Sequence, residues 1–246
     1  MDHPFIELQS VDSTNLYAAD LIKKKDVAEG TVIFAHEQTS GRGQGRNKWE
    51  SEPGKNATFS LILRPVFLPP EHQFSVNKVI TLGILSFLRP LAINEKWSIK
   101  WPNDIYAGNR KIGGILIQNL IFGNTFEICI TGIGININQE LFDPNLSNPV
   151  SLKQLSGMNY DLKNVVDRII AGIDEFYSQL EVGFTEHLDS EYREQLFGLG
   201  EWRNYSINKR VVKGRIKGVD ESGLLMVEME NGSVSHFNHG EIEFGQ

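Results

Sequence analysis

Residues 97–121 read WSIKWPNDIYAGNRKIGGILIQNLI. Strand side chains alternate between faces, so Trp97, Ile99 and Trp101 share one side while Ser98 and Lys100 share the other. Pro102 cannot donate to a ladder, and the run therefore reads as a strand, a tight break, and a hairpin turning at Ala107-Gly108-Asn109. Asn103 and Asp104 stand at the break, where an amide oxygen and a carboxylate could face a magnesium ion bound to phosphates. Asn-Asp after Pro is equally ordinary turn chemistry. Lys111 follows beside Gly113-Gly114, and glycine within a strand often marks close approach by another backbone or a ligand.

Outward from this stretch, FIELQ (5–9), GTVIFAHEQ (30–38), ATFSLILRP (57–65) and NTFEICITGIGININ (124–138) read as further strands. VDSTNLYAADLIKKK (11–25) has helical spacing and ends in three lysines, where a helix C-terminus favours cations. HQFSVNKVITLGILSFLRPLA (72–92) is a long apolar helix ended or kinked at Pro90. Residues 151 to about 198 read mostly as helices, with Val165, Val166, Ile169, Ile170, Ile173 and Phe176 forming one apolar stripe. From about Arg203 short alternating strands are split by DESG and by Asn231-Gly232, a hairpin signal, and imply a small β-domain. The expected division is 1–202 and 203–246.

Three other stretches carry candidate chemistry. TSGRGQGRNKW (39–49) combines three glycines with two arginines and a lysine before Trp49, which suggests a loop closing over an anion. It is neither a Walker loop nor a dinucleotide fingerprint. Taken alone, such a loop is more often a solvated turn. Asp12-Ser13-Thr14-Asn15 are four residues that each favour a helix N-cap, so either a redundantly capped helix or an anion site fits them. In TGIGININ (131–138) a period of two sends Ile133, Ile135 and Ile137 to the core and leaves Gly132, Gly134, Asn136 and Asn138 on the other face. A flat ligand could lie there with an asparagine at its edge, or a helix could pack closely.

Composition narrows the classes. The chain has 24 basic and 31 acidic residues, a net charge of −7, which argues against broad nucleic-acid binding. Its single cysteine, Cys129, excludes an internal disulfide and a cysteine metal cluster. His236 and His239 lack carboxylate neighbours at metal-site spacing. MDHPFIELQS has no signal-peptide character and no apolar run reaches the roughly 20 residues a bilayer crossing needs, so a cytoplasmic protein without membrane contact is expected.

Taken in order, STN, EQTSGRGQGRNKW, KWPNDIY with RKIGGILI, and GIGININ make the chain resemble the biotin protein ligases, from about Phe5 to Asn138 and again at a C-terminal GEI. The resemblance implies an α+β fold, a mixed β-sheet with flanking helices akin to the class II aminoacyl-tRNA synthetase core, plus a C-terminal SH3-like β-barrel. It implies ATP-dependent activation of biotin to biotinyl-AMP with loss of pyrophosphate, then transfer to a lysine of a biotin carboxyl carrier protein.

By the same resemblance Lys111 and Arg42 are catalytic, and Ser13, Thr14, Asn15, Gln38, Arg42, Gly43, Gln44, Lys111 and Gly114 hold biotin. Arg42, Trp49, Lys100, Asn103, Asp104 and Asn136 would hold ATP, with Mg2+ reaching Asp104 through the phosphates. The glycine loop would be disordered when empty and order over the adenylate, shutting out water. Many relatives carry a second arginine where this chain has Gln44, with Arg46 and Lys48 close behind, and retention of the intermediate depends on that position. Only twelve residues precede Ser13, so catalysis without DNA binding is expected, with a homodimer through an exposed sheet edge as an option. A lipoate or octanoate ligase and a biotin-sensing module are the rival readings.

Overall fold

The computed structural model describes residues 1–45 and 47–245; Arg46, one of the loop cations, lies outside the described residues. The first sheet uses β1 (Phe5–Val11), β2 (Val32–Gln38), β3 (Ala57–Leu63), β4 (Trp97–Lys100), β5 (Asp104–Ala107), β6 (Arg110–Phe122) and β7 (Thr125–Ile135). Their spatial order is β1-β2-β3-β7-β6-β5-β4. β1 runs parallel to β2 and the other neighbours are antiparallel, which makes the sheet mixed as expected.

Helices cover both faces. On one, α1 (Thr14–Lys24) buries Ala18 against Ile33, Ile62 and Ile130. On the other lie α2 (Phe74–Leu88), α4 (Leu162–Glu181) and α5 (Thr185–Glu194), with the short α3 (Leu152–Ser156) preceding α4. Every residue of β3 is buried, which explains why ATFSLIL reads as a continuous apolar run and does not alternate. The α4 stripe is buried from Val165 to Phe176, as its spacing predicts. It meets α2 closely, because a Cβ on Gly83 would stand 2.7 Å from the Ile173 Cα. The segment Pro70–Leu91 is long and apolar enough to cross a membrane but is mostly buried in this core. Cys129 is fully buried, and desolvation pushes its thiol up to about 12.

The C-terminal strands β8 (Trp202–Ile207), β9 (Arg210–Val219), β10 (Leu225–Met229), β11 (Val234–Phe237) and β12 (Ile242–Phe244) form an antiparallel sheet in the order β11-β10-β9-β8-β12. The expected SH3-like unit thus stands as a five-stranded sheet, and Gly232 supplies the positive φ of +82° that its hairpin needs. The break at Pro102 ties this sheet to the first one. Trp101 Nε1 donates to the Gly223 carbonyl at 3.0 Å, and the Phe74 ring sits where a Gly223 side chain would otherwise stand.

One strand is shorter than its pattern. β7 ends at Ile135, so Asn136 and Asn138 do not continue the face of Gly132 and Gly134. Other partners pull them away: Asn136 Nδ2 donates to the Val150 carbonyl at 3.1 Å, and Asn138 Nδ2 to that of Tyr160 at 2.8 Å.

Candidate functional site

A cavity of about 300 Å3 opens where β6, β7, the start of α1, the glycine loop, the Pro102 break and the last strand of the second sheet meet. Among its walls are Ser13, Thr14, Asn15, Gln38, Arg42, Gly43, Gln44, Trp49, Lys100, Asn103, Asp104, Lys111 and Gly114. The candidate residues therefore converge from five separate segments, with one exception. Asn136, expected as an adenine partner, is buried, donates its amide to the Val150 carbonyl and is not among the residues lining the cavity.

At the helix start the polar surplus is used for a network rather than for capping. Ser13 is the N-cap residue, yet its side chain makes no capping bond. Gln38 Oε1 accepts from the Thr14 backbone N–H at 2.8 Å and from its hydroxyl at 3.2 Å. The Ser60 hydroxyl, on β3, lies 2.7 Å from Thr14 Oγ1 and 2.6 Å from Asn15 Oδ1. Asn15 Nδ2 donates to the Leu116 carbonyl at 3.0 Å, bolting α1 to β6. Ser13, Thr14, Asn15 and Ser60 are all nearly fully buried. A set of oriented, buried donors and acceptors of this kind suits a ligand with a compact polar head.

At the Pro102 break, Lys111 Nζ and Asp104 Oδ1 are 2.7 Å apart and each is partly exposed. Gly114 lies directly against them, since a Cβ there would stand 3.4 Å from Asp104 Oδ1 and 3.6 Å from Lys111 Nζ. Of the two glycines expected to mark a close approach by another backbone or a ligand, it is Gly113 that a backbone approaches closely, since a Cβ there would stand 2.9 Å from the Gly134 carbonyl oxygen. Asn103 has a structural duty: its Nδ2 donates to the Ile115 carbonyl at 2.5 Å while its own carbonyl accepts from Ile115 N at 3.0 Å. Lys100 is half-buried, and desolvation lowers its pKa, with Asp104 opposing that shift and Lys111 adding to it. Burial, with a contribution from Asp104, pushes the Tyr106 hydroxyl up to about 12.

The two arms of the glycine loop pair as a hairpin through its described residues. Gly43 N donates to the Asn47 carbonyl at 2.8 Å and Trp49 N to that of Gly41 at 3.0 Å, so the Arg42 and Lys48 backbones form an antiparallel bridge. The Trp49 ring lies on β7 where Gly134 has no side chain: a Cβ there would fall 2.4 Å from Trp49 Cε2. Gly132 makes the same room for Asn15, at 2.4 Å from Oδ1. The bare face of TGIGININ is thus filled by the protein's own Trp49 and Asn15. Among the described residues Trp49 Nε1 and Gln44 Oε1 are buried without hydrogen-bond partners, and both residues line the cavity, which puts a donor and an acceptor where a polar ligand group could meet them.

Sequence reasoning missed Ser60 and the contribution of the second sheet, where His239, Ile242, Glu243 and Phe244 form part of the wall. The GEI of residues 240–242 hinted at the latter. Among the described residues no cluster of three or more His, Cys, Asp or Glu could hold a metal. Asp104 is the acidic side chain that the first domain brings to the cavity wall, which is enough for an ion carried in on nucleotide phosphates but not for a protein-built cage.

Known proteins resemble this chain in sequence and in fold. Residues 7–136 match the model of the biotin/lipoate A/B protein ligase family, and residues 207–245 that of the biotin protein ligase C-terminal domain. The bifunctional ligase/repressor BirA of Bacillus spizizenii is 29% identical over 241 residues, covering 96% of this chain and 73% of that protein. The biotin--[acetyl-CoA-carboxylase] ligase of Paracoccus denitrificans is 25% identical, covering 89% and 92%. The structure of Aquifex aeolicus biotin protein ligase in complex with biotin and ATP superposes with a TM-score of 0.81 at 26% identity, covering 99% of each chain. On this match across more than half its length, the chain belongs to the biotin/lipoate A/B protein ligase family.

Proposed function

We infer that this chain is a biotin protein ligase: it activates biotin with ATP as biotinyl-5'-AMP and transfers the biotinyl group to a lysine of a biotin carboxyl carrier protein. The observation that carries the reading is the meeting of Arg42, Lys100 and Lys111 at one cavity that the Thr14, Asn15 and Gln38 network also lines.

In the first step a carboxylate oxygen of biotin attacks the α-phosphorus of ATP. A P–O bond forms, the bond to the β-phosphate oxygen breaks, and pyrophosphate leaves. Two anions must meet for this, so fixed positive charge already in place lowers the barrier by stabilising charge that develops in the transition state. In our reading Lys111 sits at that point, held by Asp104, and Arg42 approaches from the loop hairpin. Magnesium comes with the nucleotide, and Asp104 is the side chain we assign to it. In the second step a deprotonated lysine amine of the acceptor attacks the acyl carbon, an amide forms, and AMP departs with the electron pair of the broken C–O bond. The amine's second proton passes to solvent.

The Thr14, Asn15 and Gln38 network is the proposed recognition end for the ureido ring, and Trp49, whose buried indole N–H has no partner among the described residues, the proposed nucleotide contact. We place the division between the two domains at about residue 202, where β8 begins, and propose a cytoplasmic enzyme that binds no nucleic acid, on its net charge of −7. Pairing of two copies through a sheet edge is compatible with β1 and β4 being the outermost strands. Pyrophosphate exchange into ATP, run in parallel with biotin, lipoate and octanoate, tests the assignment. Biotin alone should support it; exchange driven by lipoate or octanoate would move the chain to the other branch of the family.

A further inference from the structure

We propose that Phe244 of the C-terminal sheet and Tyr106 of β5 form a two-ring seat that holds the Lys100 ammonium at the cavity as a ligand for the nucleotide's phosphate oxygens. The C-terminal sheet then takes part in handling ATP. The proposal rests on the reading of ATP use given above.

Lys100 Nζ lies 5.3 Å from the centroid of the Tyr106 ring and 5.1 Å from that of Phe244, within the roughly 6 Å over which a ring face attracts a cation. Both Lys100 and Phe244 line the cavity. Among the described residues Lys100 has no carboxylate within ion-pair distance and no side-chain hydrogen bond, whereas Lys111 is 2.7 Å from Asp104. The difference matters chemically. A carboxylate neutralises an ammonium and occupies its donors, but a ring face attracts the charge and leaves the three N–H groups for an incoming anion. The partial loss of water that lowers the Lys100 pKa also strengthens attraction to a ring.

The seat is built into the junction of the two sheets. Phe197 lies 5.6 Å from Tyr106 and 6.3 Å from Phe244, and Tyr205 lies 5.6 Å from Phe244 as its register partner on β8. Arg203 covers the Phe197 ring at 4.6 Å. This row of rings fixes the position of Phe244 relative to β5, so displacing the C-terminal sheet would remove one face of the seat.

The test uses the full chain with Phe244→Leu, Phe244→Trp, Lys100→Met and the double variant Lys100→Met/Phe244→Leu. Three quantities are read: KM for ATP in biotin-dependent pyrophosphate exchange, calorimetric Kd for inorganic pyrophosphate, and Kd for biotin. Phe244→Leu should raise the first two about five- to tenfold and leave the third unchanged, and Phe244→Trp should hold near the parent values. In the Lys100→Met background Phe244→Leu should change nothing further. Equal effects of Phe244→Leu in both backgrounds, or a parallel loss of biotin affinity, would reduce Phe244 to packing and overturn the proposal. If Phe244→Leu does not fold, progressively fluorinated phenylalanine at position 244 keeps the shape while draining the ring face, and affinity for pyrophosphate should fall stepwise; a flat series overturns the proposal. Pyrophosphate binding needs no acyl substrate, so a parent protein inactive with biotin would refute the ligase assignment and leave the seat to be judged by binding alone.

Discussion

Lys111 Nζ and Asp104 Oδ1 are 2.7 Å apart on adjacent strands of one hairpin, in which Asp104 pairs with Gly114 and Tyr106 with Lys111. The arrangement keeps a lysine oriented before substrate arrives, which is the condition under which a fixed charge contributes most to a charged transition state. Lys111→Ala should therefore lower adenylate formation at least about a hundredfold, the scale seen on removal of one positioned donor. Because Lys111 is partly exposed, the thermal midpoint should stay close to that of the parent. Normal single-turnover formation of biotinyl-AMP by the variant would remove Lys111 from the mechanism.

Asp104→Ala separates the two substrates. The carboxylate pairs with Lys111 and takes no part in the Thr14, Asn15 and Gln38 hydrogen bonds, so KM for Mg-ATP should rise about tenfold while Kd for biotin stays within about twofold, a difference of about 1 kcal/mol or more between the two ligands. Titration of biotin by calorimetry beside ATP saturation curves checks this. Equal weakening of both would make Asp104 a structural residue.

Gly134→Ala tests the seat of Trp49. The added methyl would fall 2.4 Å from the indole, and a core position that cannot yield costs about 1–3 kcal/mol. The expected outcome is a Trp49 displaced toward solvent, seen as a red-shifted emission component absent from a Trp49→Phe control, with KM for ATP raised. Unchanged emission and KM would show that the ring has no fixed place on β7.

Trp101→Phe removes the hydrogen bond from Nε1 to the Gly223 carbonyl and keeps most of the ring. At about 1 kcal/mol for such a bond, the thermal midpoint of a chain of this size should fall by roughly 2–4 °C. Protection of the amides of residues 220–224 against hydrogen exchange should fall with it. A midpoint equal to the parent's would place the strength of the junction elsewhere, for example in Phe74 against Gly223.

What the sequence revealed follows from which features are local. Lys111, Asp104 and Gly114 were legible because all three lie within eleven residues of one hairpin, whose geometry brings them together. The bare strand face at Gly132 and Gly134 was legible from a period of two, but the same period carried the reading too far. It cannot register that Asn136 leaves the ladder for Val150, since the competing partner lies fourteen residues away. Ser60 was hidden in ATFSLIL, where a serine in a fully buried run looks like filler; its presence among six apolar or buried neighbours was the one available signal. The share of the wall supplied by His239, Ile242 and Phe244 depends on how one sheet docks on the other, and no local pattern encodes that.

The most direct measurement follows oxygen. Biotin labelled with 18O in its carboxylate is turned over with ATP and an acceptor carrier domain, and AMP and pyrophosphate are analysed by mass spectrometry. If the carboxylate displaces pyrophosphate at the cavity where Arg42, Lys100 and Lys111 meet, each AMP carries one 18O and pyrophosphate carries none. Label in pyrophosphate, or products ADP and labelled phosphate, would contradict the account.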